Sequence, residues 1–501
     1  MQMFEKIKMA RPQTASIRSA RRFTAGLSFF LLVLAGCTVG PDYRRPEAPL
    51  VGSFTRRPTE AMRTAASSDI ARQWWKAYES PHINLLVEQA LRRNPNIEAG
   101  AANLRAAQEM VNAQRGLFYP SVQAGYNAAR QNSGNVLASP LSSNTTLFNL
   151  HTAQVNIGFV PDVFGGNRRQ VESLQASASG QQYQLDALKI TIASNVVAAA
   201  IQEHQLTEQI VITEKAIRIA AEQLRQLKGL QTSGYSSGLD VAQQQVAYVQ
   251  TVALLPPLHK QIEQTRNLLA VLCGELPERQ LAGAALDDIQ VPAMLPTILP
   301  SSLIERRPDV QAAQEQLHAS HALIGVAVAN LLPQVSLSAN LAYSNNLLAG
   351  LLSNANQSWG LLGGLTQPLF AGGALSARKR EAEASAEAAF SQYQNVVLAA
   401  FQNVADTLYA IEADDRSLAA ARDLELANRH LLEHSQRQLA QGYVSRLVFL
   451  AAQQSLLQSE LNRVVSKATY LSDTAALYQA LGGGRDRAEA ADSRGLVSPV
   501  R

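Results

Sequence analysis

Residues 374–441 read ALSARKREAEASAEAAFSQYQNVVLAAFQNVADTLYAIEADDRSLAAARDLELANRHLLEHSQRQLAQ, which is 68 residues without a glycine or a proline. Because these two residues most often interrupt or end helices, the stretch predicts one continuous helix. At 1.5 Å per residue that helix is about 100 Å long, far beyond the roughly 10 to 14 residues usual in globular domains. Residues 443–481 also lack both residue types, so a second long helix follows a tight turn.

The landmarks around these helices occur twice in the chain, in the same order. The matching positions are Pro95 with Pro308, Pro120 with Pro333, Gly166 with Gly373, and Gly234 with Gly442. Their offsets lie between 207 and 213 residues, and self-similarity at a fixed spacing indicates a repeated structural unit. We therefore predict two repeats, over residues 81–290 and 291–481. Each contains a helix of about 25 residues, two strands, a long helix, a turn and another long helix.

The two repeats differ mainly in their long helices. We expect long helices at about 166–275 and 373–481, with strands at about 120–164 and 333–370. In the first repeat Gly180 lies inside the first long helix, and Pro256-Pro257 divides the second into two pieces. The helices carry many alanines and apolar residues at helical spacing, which permits close packing between helices. A plain soluble coiled coil is the alternative, and the strands argue against it.

The N-terminus reads as an export signal, predicted over residues 1–36. A basic stretch precedes the apolar run LSFFLLVL at 27–34, which is too short to span a bilayer as a helix. Leu34-Ala35-Gly36-Cys37 resembles the bacterial lipobox, whose cysteine takes a diacylglycerol and, after cleavage, an N-acyl chain. Residues 37–80 would then be a lipid-anchored segment, and no other cofactor is expected. An ordinary signal peptide with a chance cysteine is the alternative.

The strand segments alternate between apolar and polar residues and carry no charge. They cover 121–129, 152–159, 335–343 and 358–366, and the last alternates poorly because Leu362 falls on its polar side. Uncharged alternation over about ten residues is typical of the wall of a transmembrane barrel. A soluble hairpin with one face on a core shows the same pattern, but the lipid anchor and the absence of charge favour a membrane.

Four strands cannot close a membrane barrel, because open edges are not tolerated in lipid and the smallest barrels have about eight strands. Three copies would supply twelve. The predicted fold class is therefore mainly α with β: a trimer whose chains give four strands each to a 12-stranded barrel and long helices to an α-helical barrel.

The charge distribution excludes a nucleic-acid partner. The chain has 44 Lys and Arg against 40 Asp and Glu, but residues 1–36 hold six of the basic side chains and one of the acidic ones. Beyond the signal the net charge is −1, which leaves no basic surface for nucleic acid. The two cysteines cannot form a disulfide framework, and Cys273 is expected to be a buried small side chain.

Nothing in the sequence predicts an enzyme or a metal site. His430, Glu433 and His434 spell H-x-x-E-H, a zinc-protease pattern, but they lie within the long helix without an evident third ligand. His318 and His321 are one helical turn apart and can equally be polar surface residues. No Ser-His-Asp set or phosphate-binding loop stands out.

Taken together, the motifs resemble one family: the outer-membrane factors of tripartite efflux pumps, of the TolC and OprM type, closest to the NodT-like lipoprotein subgroup. The motifs are Gly40-Pro41-Asp42-Tyr43, Trp74-Trp75, Arg306-Arg307-Pro308-Asp309, Leu332-Pro333 and Pro368-Leu369-Phe370 with Gly372-Gly373. They span the chain to about Leu481, and residues 482–501 are predicted to be a disordered tail.

The resemblance implies a homotrimeric conduit that is lipid-anchored and multi-pass in the outer membrane and extends into the periplasm. Such a conduit catalyses no reaction. It exports small toxic compounds that an inner-membrane proton-coupled transporter of the RND type delivers through a periplasmic adaptor protein. A conduit for protein secretion is an alternative, and a purely structural trimeric stalk is a weaker one.

In this family the turns between long helices form the periplasmic tip, where the adaptor docks and the pore narrows. The corresponding residues are Gly234, Tyr235, Ser237, Asp240, Gly442, Tyr443, Ser445 and Arg446. The second turn departs from the family pattern, because Val448 stands where an aspartate is usual and Arg446 where an aromatic residue is common. Simple turn chemistry without a gating role is the alternative.

Overall fold

The computed structural model describes residues 38–47, 54, 64–65, 71–132, 134, 145–278, 289–290, 295–296 and 307–484. The predicted signal, Cys37 and most of the predicted tail lie outside these residues. The chain divides into two compact units. One takes its described residues from 1–44, 109–176 and 318–387, and the other from 45–108, 177–317 and 388–501. Each unit therefore combines segments of both repeats.

The first unit contains a four-stranded antiparallel sheet. Its strands, in chain order, are β1 (Ser121–Asn132), β2 (Leu147–Phe159), β3 (Gln334–Asn345) and β4 (Gln357–Thr366). They are also neighbours in that order, so each repeat supplies one hairpin and β2 pairs with β3 to join them. The alternating segments of the sequence are thus strands, as predicted.

The two faces of this sheet differ in polarity. The register places Val122, Ile157, Ala339 and Leu361 in one row across the sheet, and Gln123, Asn156, Asn340 and Gly360 in the next row, on the opposite face. Leu362 lies on the polar face opposite Ser338 and is 70% exposed, as its sequence position predicts. One face is therefore apolar and the other is polar but uncharged.

The helices match the predicted pattern. They are α1 (Pro81–Arg93), α2 (Pro95–Gly116), α3 (Gly166–Thr232), α4 (Gly238–Ala253), α5 (Leu255–Leu272), α6 (Pro308–Ala329), α7 (Ala374–Ala440) and α8 (Arg446–Ala480). Short 3-10 helices lie at Trp74–Tyr78 and Asn354–Asn356. Both α3 and α7 have 67 residues, which corresponds to about 100 Å each.

The junction between α4 and α5 lies at Leu254, directly before the proline pair. Pro256 and Pro257 have no backbone N–H, so the carbonyls of Val252 and Ala253 lose the donors that a continuous helix would give them. The predicted division of this helix is confirmed. The corresponding helix of the second repeat, α8, runs for 35 residues without a break.

In the second unit, the aromatic residues before α1 hold the C-terminal part of α8. The Trp74 ring stacks on Tyr478 with 5.1 Å between centroids. The Tyr78 hydroxyl donates to the carbonyl of Leu471 at 2.9 Å, and its side chain is fully buried. The two-residue strands Thr64–Ala65 and Leu295–Pro296 pair in parallel in the same unit.

Arg307 also holds the C-terminal end of α8. Its guanidinium donates to both carboxylate oxygens of Asp309, at 3.0 and 2.6 Å, and to the carbonyl of Ala480 at 2.8 Å. Because the last carbonyls of a helix have no partner within it, this contact satisfies one of them. The Arg307-Pro308-Asp309 motif is therefore a cap for α8 as well as the start of α6.

In the first unit, residues 38–44 are held by Arg169 on α3. Only 7% of the Arg169 side chain is exposed, and it binds Asp42 at 2.6 Å, Glu172 at 2.7 Å and the carbonyl of Val39 at 3.2 Å. Gly40 lies so close to Gly325 of α6 that an added Cβ would be 2.5 Å from the Gly325 Cα. The segment after Cys37 is therefore a packed part of this unit.

His318 and His321 of α6 contact the segment 38–44 and are not simple surface residues. The Tyr43 ring stacks on His318 with centroids 4.4 Å apart and meets His321 edge-on at 6.0 Å. His318 Nε2 lies 2.9 Å from a Glu172 carboxylate oxygen. The pKa of Glu172 is lowered by the hydrogen bond with His318 and the contacts with Arg169, and that of His321 is lowered chiefly by burial.

Cys273 is buried, as predicted. Its Sγ lies 3.6 Å from the carbonyl of Leu86, and burial raises the pKa of the thiol to about 11. Because the thiolate is the reactive form of cysteine, this residue is a packing side chain without chemistry at neutral pH.

Candidate functional site

The first predicted tip turn ends α3 with a glycine in the left-handed conformation. Gly234 has φ +78°, its N–H donates to the carbonyl of Gln231 at 3.0 Å, and the N–H of Tyr235 donates to Leu230 at 2.8 Å. These bonds form a Schellman-type ending, which satisfies helix carbonyls that lack donors.

The second turn repeats this geometry at the end of α7. Gly442 also has φ +78°, its N–H donates to Leu439 at 3.1 Å, and the N–H of Tyr443 donates to Gln438 at 2.9 Å. A Cβ added to either glycine would meet nothing within 4 Å. The glycines are therefore required by the backbone conformation and not by crowding.

The helix after the first turn begins with a capping box. The Asp240 N–H donates to Ser237 Oγ at 3.1 Å, and the Asp240 carboxylate accepts from the Ser237 N–H at 2.9 Å. The hydroxyls of Ser237 and Ser236 also donate to this carboxylate, at 2.8 and 3.2 Å. The bonds from Ser237, followed by the one from Ser236, lower the pKa of Asp240, so it is ionised at neutral pH.

The second turn has only half of that cap. Ser445 Oγ accepts from the Val448 N–H at 3.4 Å, but the Val448 side chain has no oxygen that could accept from the Ser445 N–H in return. The Arg446 guanidinium lies over the Phe449 ring at 5.1 Å, which is a cation–π contact. The first turn thus has a carboxylate at the third residue of its helix, whereas the second has Val448 there and a cation, Arg446, at the first residue.

Both turns expose apolar side chains. Tyr235 is 83% exposed, Tyr443 is 78% exposed, and Leu239 and Val448 are exposed as well. Exposed apolar groups next to ordered backbone are common features of protein contact surfaces. Sequence reasoning placed the two tyrosines here, but it missed Leu239 and the contact between Arg446 and Phe449. A pairing of positions i and i+3 on a helix could have indicated that contact.

The predicted site residues form two local sets, one for each turn. Gly234, Tyr235, Ser237 and Asp240 make up the first, and Gly442, Tyr443, Ser445 and Arg446 the second. Cys37 lies outside the described residues. A role of these turns in adaptor docking or gating stays a prediction.

No metal centre is evident in the part of the chain that the structure describes, where no three His, Cys, Asp or Glu side chains are arranged to hold an ion. In the H-x-x-E-H pattern, His430 Nδ1 lies 3.9 Å from Glu433. Arg437 is 3.6 Å from the same Glu433 carboxylate oxygen. These side chains form an ordinary charged surface of α7.

The family model described as "Outer membrane efflux protein" matches residues 86–275 and 299–483. The first match lies within residues 81–290 and the second overlaps residues 291–481. The probable efflux pump outer membrane protein TtgC of Pseudomonas putida is 28% identical over 91% of this chain and 95% of its own length. The pyoverdine export outer membrane protein OpmQ of the same organism is 31% identical over 82% of this chain and 88% of its own length.

Solved structures of similar shape include the outer-membrane channel OprN. It has a TM-score of 0.79 and 27% identity, covering 89% of this chain and 99% of that one. The CmeC outer membrane channel of Campylobacter jejuni has a TM-score of 0.80 at 20% identity, over 91% and 98% of the two chains. The second likeness concerns the fold alone.

Proposed function

Because the chain belongs to the outer membrane efflux protein family, we propose that three copies form one passive channel that works with a periplasmic adaptor and an inner-membrane transporter of the RND type. The predicted family resemblance and the outer-membrane location are thereby confirmed, whereas the NodT-like subgroup stays a prediction. The observation that carries the proposal is the sheet, which has an apolar face, a polar uncharged face and open edges. Three such sheets supply the twelve strands of a closed barrel with a wet interior.

The channel catalyses no reaction in this proposal, and energy comes from the inner-membrane transporter. The two helix-reversing turns are the surfaces that the adaptor contacts. Their exposed tyrosines and their ordered left-handed glycines support this assignment. A rigid turn with apolar side chains loses little conformational entropy when a partner binds.

Small toxic compounds are the proposed cargo. The names of similar proteins refer to the efflux of toluene and to pyoverdine export, which are cargoes of low molecular mass. Deletion of the gene should lower the minimum inhibitory concentrations of antibiotics, dyes or detergents and leave the secreted proteins unchanged. The opposite result would favour a conduit for protein secretion.

Two further measurements address the assembly itself. Purified protein in a planar bilayer should give single-channel conductance, whereas a structural stalk would give none. Affinity purification from cross-linked cells should recover an adaptor and an RND-type transporter. Recovery of a protein-secretion ATPase complex in their place would contradict the proposed partners.

We also propose that Cys37 carries the diacylglycerol and N-acyl chains. Thr38 packs against Gly165, and the Val39 N–H donates to the carbonyl of Phe164 at 3.1 Å. The residue after the anchor is thus held a few residues beyond the end of β2, where the strand leaves the membrane. Mass spectrometry of the mature N-terminus should find a triacylated cysteine, which Cys37→Ser should abolish. An unmodified Cys37 in the wild-type protein would refute the anchor.

A further inference from the structure

Charge is almost absent from the strands and their connections. Residues 121–160 and 334–370 contain no Asp, Glu or Lys, one arginine, Arg130, and one histidine, His151. A lone arginine in a membrane sheet has no acidic partner within either segment, so its position on the sheet decides what can neutralise it.

The register places both groups on the apolar face, at one corner. Arg130 pairs with Asn149, and Ala128 pairs with His151. Because side chains alternate along a strand, Arg130 shares its face with Val122 and Tyr126. Arg130 and His151 are diagonal neighbours on that face, with Cβ atoms roughly 7 Å apart.

This corner lies at the end of the sheet that is remote from the helices. Arg130 is nine residues beyond Ser121, where β1 begins. With about 3.3 Å per residue and a strand tilt of about 40°, that distance is about 23 Å along the membrane normal. The apolar band of such barrels is about 25 Å tall. Arg130 therefore lies at the outer boundary of the band, where anionic headgroups are within its reach.

An apolar groove of about 440 Å³ lies on the same sheet. It is displaced from Arg130 towards the middle of the membrane. Its lining includes Ala124, Ala153, Val155, Leu341, Tyr126 and Tyr343, with Leu352 from the β3–β4 connection. Ala124 and Ala153 contribute small side chains to this lining. The Tyr126 hydroxyl lies 2.8 Å from His151 Nδ1, and the two rings are nearly parallel, at 14°. The groove thus leads directly to the basic corner.

We propose that this surface binds lipid A, the phosphorylated glycolipid of the outer leaflet, with a phosphate on Arg130 and His151 and an acyl chain in the groove. The inference goes beyond transport, although it rests on the placement of the sheet in an outer membrane. Charge complementarity favours this occupant, because lipid A presents phosphate at the outer boundary and acyl chains below it. Arginine suits the phosphate because its planar guanidinium donates in a bidentate manner.

The test uses the full-length trimer, delipidated and returned to detergent micelles. The probes are bisphosphorylated hexa-acyl lipid A, the same lipid A after removal of its phosphates, and phosphatidylglycerol. Retention is measured by native mass spectrometry, and affinity by the shift of the thermal transition with lipid concentration. We expect at least tenfold weaker binding of lipid A to Arg130→Gln than to the wild type, with Arg130→Lys in between. Dephosphorylated lipid A should bind the wild type as weakly as lipid A binds Arg130→Gln.

Gln131→Ala provides the matched control, since this residue is the neighbour of Arg130 on the opposite face; it should bind lipid A like the wild type. If Arg130→Gln does not assemble, Ala153→Phe, which fills the groove and keeps the charge, should weaken binding by a similar factor. The proposal would be overturned if Arg130→Gln bound lipid A as tightly as the wild type does. When only Ala153→Phe assembles, binding as tight as that of the wild type by this variant would overturn it. The proposal would also be overturned if the wild type bound phosphatidylglycerol or dephosphorylated lipid A as tightly as it binds bisphosphorylated lipid A. These lipid measurements are independent of conductance, so failure of the channel proposal would be seen separately, as wild-type protein without conductance.

Discussion

The carboxylate of Asp240 accepts hydrogen bonds from both the backbone N–H and the hydroxyl of Ser237, at 2.9 and 2.8 Å. Asp240 is the third residue of α4, and the corresponding residue of α8 is Val448. The two turns of one chain therefore share the glycine ending and the serine cap but differ at this carboxylate. This difference makes one turn an internal control for the other.

We expect the first turn to lose order in acid. Because the folded pKa of Asp240 is lowered by its hydrogen bonds, its stabilisation is present above the ordinary aspartate pKa of about 3.9. It is lost as the pH falls through the lowered value. Amide hydrogen exchange should show Asp240 losing protection below about pH 4 while Val448 does not change. Val448→Asp should transfer the same acid sensitivity to the second turn; parallel behaviour of the two turns in the wild type would contradict this.

We expect Gly234→Leu and Gly442→Leu to abolish efflux while trimers still form. A leucine at φ +78° costs about 1 to 2 kcal/mol of backbone strain, and the turn would change conformation to escape it. Susceptibility of a deletion strain that carries each variant measures efflux, and non-denaturing electrophoresis measures assembly. Gly229→Ala is the control, because Gly229 is an open position inside α3. Unchanged drug resistance in both leucine variants would refute a docking role.

The pair Asp414 and Asp473 joins α7 to α8 and should make the protein less stable as the pH rises. Burial, followed by the hydrogen bond with Asp473, raises the pKa of Asp414 to about 6. The native state therefore holds an extra proton between the unfolded pKa of about 3.9 and this value, and stability falls across that window. Asp414→Asn should raise the Tm at pH 8 and leave it nearly unchanged at pH 4. Asp423→Asn, at an exposed position, serves as the control. An increase in Tm that is equal at both pH values would argue against the extra proton of the native state.

The segment that follows Cys37 should detach when Gly40 is replaced by alanine. Gly40 has φ +93°, and its added Cβ would collide with the backbone of Gly325, so no side-chain rotation can relieve the contact. Limited proteolysis should cleave Gly40→Ala within residues 38–47 at least tenfold faster than the wild type. Gly116→Ala, at an open position at the end of α2, should be cleaved at the wild-type rate. Equal rates for both variants would show that the close approach is not needed.

Local patterns of the sequence predicted most elements of the fold. The absence of glycine and proline marked α7 and α8, and alternation marked the four strands, because backbone preference and side-chain periodicity are local properties. Long-range contacts were not predictable in this way. Asp42 and Arg169 are 127 residues apart, and no periodicity connects them. For the same reason His318 could not be assigned to the ring of Tyr43.

The candidate site was predictable to a similar extent. The Gly-Tyr pairs and following serines located both turns, since left-handed glycine and serine caps are chemical requirements of a tight helix reversal. The pairing of Arg446 with Phe449 and the exposure of Leu239 depend on side-chain placement around the turn. The family resemblance identified the departures at Val448 and Arg446 but could not show that the Arg446 guanidinium lies over the Phe449 ring.

The interruption at Leu254 makes the long helices of the first repeat mechanically different from those of the second. A helix resists bending through its ladder of hydrogen bonds, and Pro256 and Pro257 remove two rungs at one level. In the first repeat, α3 is followed by a helix that is interrupted between α4 and α5. In the second repeat, α7 and α8 are both continuous helices. The helix after the first turn can therefore bend at one level where its counterpart after the second turn cannot, so the two repeats differ in stiffness.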